Sequence, residues 1–108
     1  MEQRKLHSSR LSEEIREQVS EFFNRESNKS SLITVTRVIL SDSLKNASIL
    51  ITVYPIEKES DVMAFCKRRA TDIRSYLQKH IKTHHIPFLD FQIDDGEKNR
   101  QKIDALLQ

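Results

Sequence analysis

Lys67, Arg68, Arg69, Arg74, Lys79 and Lys82 fall within one helical pattern spanning residues 62–85, where Asp72 is their single acidic neighbour. Six bases against one acid leave a local surplus of five, on a chain whose formal net charge is +2, so the remainder sums to −3. A mild total therefore hides a polarised molecule. Positive charge gathered on one element suits an anionic partner, and a phosphate backbone is such a partner. Guanidinium forks pair bidentately with phosphate, whereas lysines act as point charges. Arg4, Lys5 and Arg10 extend the candidate footprint from the N-terminal side, and Lys45 adds to it from a short connection.

Other reactive side chains point to no second chemistry. His80 and His84 are four apart on one helix face, with His85 beside them, but a zinc-protease pattern needs Glu where Ile81 stands. No cysteine or carboxylate cluster completes a ligand set, so no metal is expected and these histidines read as hydrogen-bonding groups near a helix end. Cys66 lies in an apolar stripe without a partner base, which is the position of a buried structural thiol. Asp94 and Asp95 read as a turn with Gly96, since adjacent side chains at a strand end point apart. Gly96 is also the single glycine of the chain, which argues against Walker and dinucleotide loops and against a Gly-x-x-Gly clamp. No catalytic residue, cofactor or small-molecule substrate is expected.

The chain that must position these side chains has 108 residues, enough for one domain over residues 1–108. No run approaches the ~20 apolar residues of a membrane span. The N-terminus does not lead into a signal-peptide core, and one cysteine forms no internal disulfide. A cytoplasmic protein without a membrane role is expected, acting as a monomer.

Leu11, Ile15, Val19, Phe22 and Phe23 recur at helical spacing and predict a first helix capped by Ser8 or Ser9. Glu13, Glu14, Glu17 and Glu21 occupy its other face. Residues 32–41 predict a strand with Thr36, Val38 and Leu40 on one face. Ala47, Ile49, Ile51 and Val53 alternate along a half-buried second strand, antiparallel to the first across a short connection and ended by Pro55. The basic helix follows, capped by Ser60 or Asp61, with Val62, Phe65, Cys66, Ala70, Ile73, Leu77 and Ile81 as its stripe and Pro87 beyond its end. Leu89, Phe91 and Ile93 mark a third strand, and Ile103, Leu106 and Leu107 a short closing helix. The order α-β-β-α-β-α predicts an α+β fold, a three-stranded sheet packed on helices.

This order, with Arg10-Leu11 opening the first helix and Asn24-Arg25-Glu26 closing it, resembles the ribosome-binding factor A family. The likeness continues through Val38-Ile39-Leu40-Ser41 and Leu44-Lys45-Asn46-Ala47 to Tyr54. It is strongest at Ile73-Arg74-Ser75-Tyr76-Leu77 and Ile86-Pro87-Phe88-Leu89-Asp90-Phe91, and it covers about residues 10–95. The resemblance implies a type II KH-like fold without the Gly-x-x-Gly loop. It also implies binding to the small (30S) ribosomal subunit and its rRNA during late maturation and 16S rRNA processing, without catalysis. Arg10, Lys45, Lys67, Arg68, Arg69, Arg74, Lys79 and Lys82 are the expected RNA-binding residues.

The family's Ala-x-Gly kink in the second helix is matched here by Arg69-Ala70-Thr71. Thr71 is β-branched and resists positive φ, so a smoother helix, or one kinked elsewhere, is expected. The loop before the first strand is shorter than the family's, and the sequence has no long charged segment after the third strand, so contacts through those parts are not carried over. Tyr54, Tyr76 and Phe88 are the aromatics lying off the core stripes, which favours recognition by shape and backbone charge over base stacking. The rival reading is a protein-interaction module working through the acidic face of the first helix.

Overall fold

The computed structural model describes residues 2–27, 29–82 and 85–107. The first helix, α1, runs Glu2–Glu26. Strands β1 (Leu32–Leu40) and β2 (Asn46–Tyr54) follow, and a 3-10 turn at Ile56–Lys58 leads into α2 (Glu59–Arg68). Helix α3 (Ala70–His80), strand β3 (Phe88–Ile93) and helix α4 (Asp95–Leu107) complete the chain. The sheet is mixed, in the order β1-β2-β3, with β2 antiparallel to β1 and parallel to β3. This is the α+β, KH-like arrangement that the sequence predicts, with one more helix because the basic segment is divided.

The core lies where α1, α2 and α3 meet the sheet. Leu11, Ile15, Val19, Phe22 and Phe23 are buried along α1, in one cluster with Ile49 and Ile51 of β2 and Phe91 of β3. The Phe23 ring sits between Phe65 and Phe91, with centroids 6.5 and 6.3 Å away. Tilted aromatic contacts of this kind add to simple area burial. As the central strand, β2 is buried on both faces, Leu50 and Thr52 included, where alternation predicts one exposed face.

Several expected boundaries move. Ser8 and Ser9 lie inside α1, not at its cap: the residues before them include Glu, Gln, Arg, Lys and Leu, which are good helix formers. Neither Ser60 nor Asp61 caps α2, which starts at Glu59 from the 3-10 turn with no side-chain cap bond at Lys58. In β1 the register shifts between Val35 and Arg37, so Thr36 is a bulge residue and the inward phase passes from Ile33 and Val35 to Val38 and Leu40.

That bulge positions α4. The Thr36 hydroxyl donates to Asp94 Oδ2 at 2.5 Å and lies 3.2 Å from Leu50 O. The other carboxylate oxygen of Asp94 accepts from the Glu97 amide at 3.1 Å, so Asp94 is a buried N-cap. Asp95 and Gly96 therefore belong to the first helical turn and not to a reversing turn. Ile103, Leu106 and Leu107 share helical spacing but stay 57%, 80% and 81% exposed. Periodicity locates this helix and carries no information on whether its stripe is covered.

Candidate nucleic-acid interface

The basic segment breaks at Arg69, whose φ of −99° and ψ of 10° fall in the sparse bridge region. Backbone bonds bracket the joint, Arg69 N to Phe65 O at 2.9 Å and Ile73 N to Arg69 O at 2.8 Å. The break lets α2 pack against β2 and β3 while α3 packs against α1 and β3. Of the two expected forms, a smoother helix and one kinked elsewhere than Thr71, the structure has the second. Thr71 sits within α3, and the positive-φ residues among those described are Lys29 and Leu44. The helix also stops at His80, because Ile81 turns extended (φ −118°, ψ 92°) and buries its side chain in the core.

The side chain of Arg69 secures this joint. Its Nε donates to Asp72 Oδ2 at 2.7 Å, and Nη2 lies 3.9 Å from Glu26 Oε1 on α1. The guanidinium stands 5.2 Å from the Phe22 ring and 5.6 Å from Phe65, and the side chain is only 28% exposed. Arg74 is also held internally. Its Nε donates to Pro87 O at 3.1 Å and its Nη2 to Ile86 O at 2.7 Å, which ties α3 to the chain entering β3.

Lys67, Arg68, Lys79 and Lys82 differ from both arginines. All four are exposed and form no hydrogen bond or ion pair among the described residues. Arg68 has one ring contact, 6.0 Å from the Phe65 centroid. Lys67 and Arg68 end α2, Lys79 lies in the last turn of α3, and Lys82 follows it. Cations there also complement the carbonyl ends of both helices. An 11-residue α3 is ~16 Å long, so the two basic groups are separated by about that length. Arg10 on α1 and Lys45 on the β1–β2 connection are exposed as well, without polar partners for their side chains among the described residues.

His80 stacks on Tyr76 at 4.0 Å, with Nδ1 2.8 Å from Tyr76 O. His84 and the side chains of Arg4 and Lys5 lie outside the described residues. Cys66 is fully buried, and burial pushes its thiol up to about 12, which removes it as a nucleophile. Asp94 carries a buried charge at a position that the sequence reads as a turn. The Thr36 hydroxyl foremost, then the Glu97 amide and the Arg37 guanidinium, hold its carboxyl below the usual range, against the opposing effect of burial. The spacing Asp94-x-x-Glu97 is a capping signature that could have located it. No described helix is long and apolar enough to cross a membrane.

Comparison with known proteins places the chain in a family. The family model described as ribosome-binding factor A matches residues 7–107. A ribosome-binding factor A of Thermomicrobium roseum is 28% identical over 103 residues, covering 93% of this chain and 80% of that protein. The crystal structure of ribosome-binding factor A from Thermus thermophilus superposes with a TM-score of 0.70 at 17% identity, covering 79% of this chain and 93% of that one. A homology model of the Thermus thermophilus factor, fitted into the cryo-EM map of its complex with the 30S subunit, gives 0.64 at 18% identity and covers 73% and 86% of the two chains.

Proposed function

The chain belongs to the ribosome-binding factor A family, and from that premise we propose that it binds the small ribosomal subunit and its rRNA during late maturation and 16S rRNA processing. It does so without catalysis, as one cytoplasmic domain spanning residues 1–108. The observation that carries this reading is the division of its cations. Lys67, Arg68, Lys79 and Lys82 project from the two helix ends without polar partners among the described residues, which leaves them to neutralise phosphates and release counterions. Arg10 and Lys45 widen the contact, while Arg69 acts through the joint that sets the direction of α2 against α3. The mechanism is steric: the domain occupies immature rRNA, restrains its folding and then departs.

Co-sedimentation with small subunits in a sucrose gradient tests the proposal. The wild type should comigrate with the subunit, and a Lys67→Glu/Arg68→Glu variant with an unchanged circular dichroism spectrum should stay at the top. A wild type that stays at the top rejects the reading and favours a protein interface on the acidic face of α1. Comigration of both proteins would keep the partner and reject the chosen surface.

A further inference from the structure

A second feature lies away from the helix joint, where the β1–β2 connection meets the chain entering β3. A cavity of about 440 Å³ opens there, walled by the Ser43–Lys45 loop, Arg74, His85 and Phe88, with Leu11 of α1 among its lining. That volume is in the range of small-ligand sites. Among the described residues its lining contains Lys45, Arg74 and His85 and no carboxylate.

Phe88 makes this more than a basic hollow. The ring is 66% exposed at the start of β3, and the Arg74 guanidinium lies 4.5 Å from its centroid. The two bonds from Arg74 to Ile86 O and Pro87 O fix that guanidinium. The Phe88 amide donates to Lys45 O at 2.9 Å, joining the opposite walls. An exposed aromatic ring braced by a cation is a preorganised stacking platform. Leu44, in the same wall, has φ of 60°, the left-handed region that a non-glycine residue adopts at a cost, and strain of this kind collects at ligand sites.

Building on the RNA-binding reading above, we propose that this groove receives one unpaired nucleotide of single-stranded RNA, its base stacked on Phe88 and its phosphate held by Lys45 and His85. A base has a π-face to match the ring and apolar walls at Leu11, Leu44 and Pro87 to lie against, and a phosphate matches the cationic side of the lining at Lys45 and His85. Recognition then includes one stacked base, beyond the shape and charge that the sequence suggests.

The test uses the full chain and a fluorescein-labelled single-stranded U7 oligonucleotide. Phe88→Leu keeps an apolar side chain at an exposed position while removing the ring, and should weaken binding roughly ten-fold with the salt slope unchanged. Lys45→Gln should lower the salt slope by about one. In the wild type, the Phe88 ring protons should move upfield as U7 saturates. Three results would overturn the site: no U7 binding by the wild type, a Phe88→Leu variant that binds as tightly as the wild type, or unmoved ring signals at saturation. Ring signals that respond only to RNA-free ribosomal proteins would also overturn it, assigning the groove to a protein.

Subunit co-sedimentation run alongside separates the two readings. A comigrating Phe88→Leu variant with undiminished U7 affinity rejects the nucleotide site and leaves subunit binding intact. A wild type that stacks U7 on Phe88 yet stays off the subunit keeps the site and rejects the ribosomal reading.

Discussion

Arg69 and Arg74 differ from Lys67, Arg68, Lys79 and Lys82 in what surrounds them, although one basic stretch of sequence supplies all six. The two arginines bind inward, to carboxylates, aromatic faces and backbone carbonyls. The other four have no polar partner among the described residues. The first pair shapes the surface and the second group forms its charge. Formal charge counted along a sequence thus overstates the charge available to a partner, because part of it is neutralised or braced within the fold.

Substitution at the inward pair should break the fold before it touches binding. Arg74→Ala strips two donors from the carbonyls of buried Ile86 and Pro87 and should cost about 2–4 kcal/mol. Urea denaturation would show the midpoint falling without a change in slope. Arg69→Ala removes partly exposed ion pairs and the cover over Phe22 and Phe65, for a loss of about 1–3 kcal/mol in the same assay. If Arg69→Ala melts like the wild type, the distinction between inward and outward cations fails at its most important residue.

Asp94 extends the contrast to acids, being buried and bonded where Asp90 and Asp95 are exposed. Its folded pKa is lowered, so its contribution is complete above the ordinary aspartate value of about 3.9 and is lost as pH falls through the lower folded value. Asp94→Asn should be less stable than the wild type by about 1–2 kcal/mol at neutral pH. That gap should close as acid is added, as followed by thermal melts from pH 7 to pH 2. The smallest effect is expected at Leu44, where relief of the left-handed backbone in Leu44→Gly should raise stability by about 1 kcal/mol or less.

How far the sequence can be read depends on whether a residue's role is local. The apolar stripe of α1 and the alternation of β3 are legible because burial follows periodicity there. The division of the basic helix at Arg69 is not, since Thr71 gives no sign of it and the joint is held by tertiary contacts with Glu26 and Phe22. Periodicity runs on through Ile81 for a related reason: the residue is buried although its backbone is extended. The groove at Phe88 joins residues of α1, the β1–β2 loop, α3 and β3, and no spacing along the chain brings those together. Asp94 reads as a turn residue because its partner Thr36 lies 58 residues away.

On this reading the four outward cations, and not Arg69, meet phosphate. Its most direct test is the slope of log affinity for small subunits against log salt concentration. The slope would be compared for the wild type, for the Lys67→Gln/Arg68→Gln/Lys79→Gln/Lys82→Gln variant and for Arg69→Gln, at a temperature where all three are folded. The fourfold variant should lose roughly 3 from the slope, at about 0.7–0.9 per phosphate contact, while Arg69→Gln keeps the wild-type slope. An unchanged slope in the fourfold variant, or a comparable loss from Arg69→Gln alone, would contradict it.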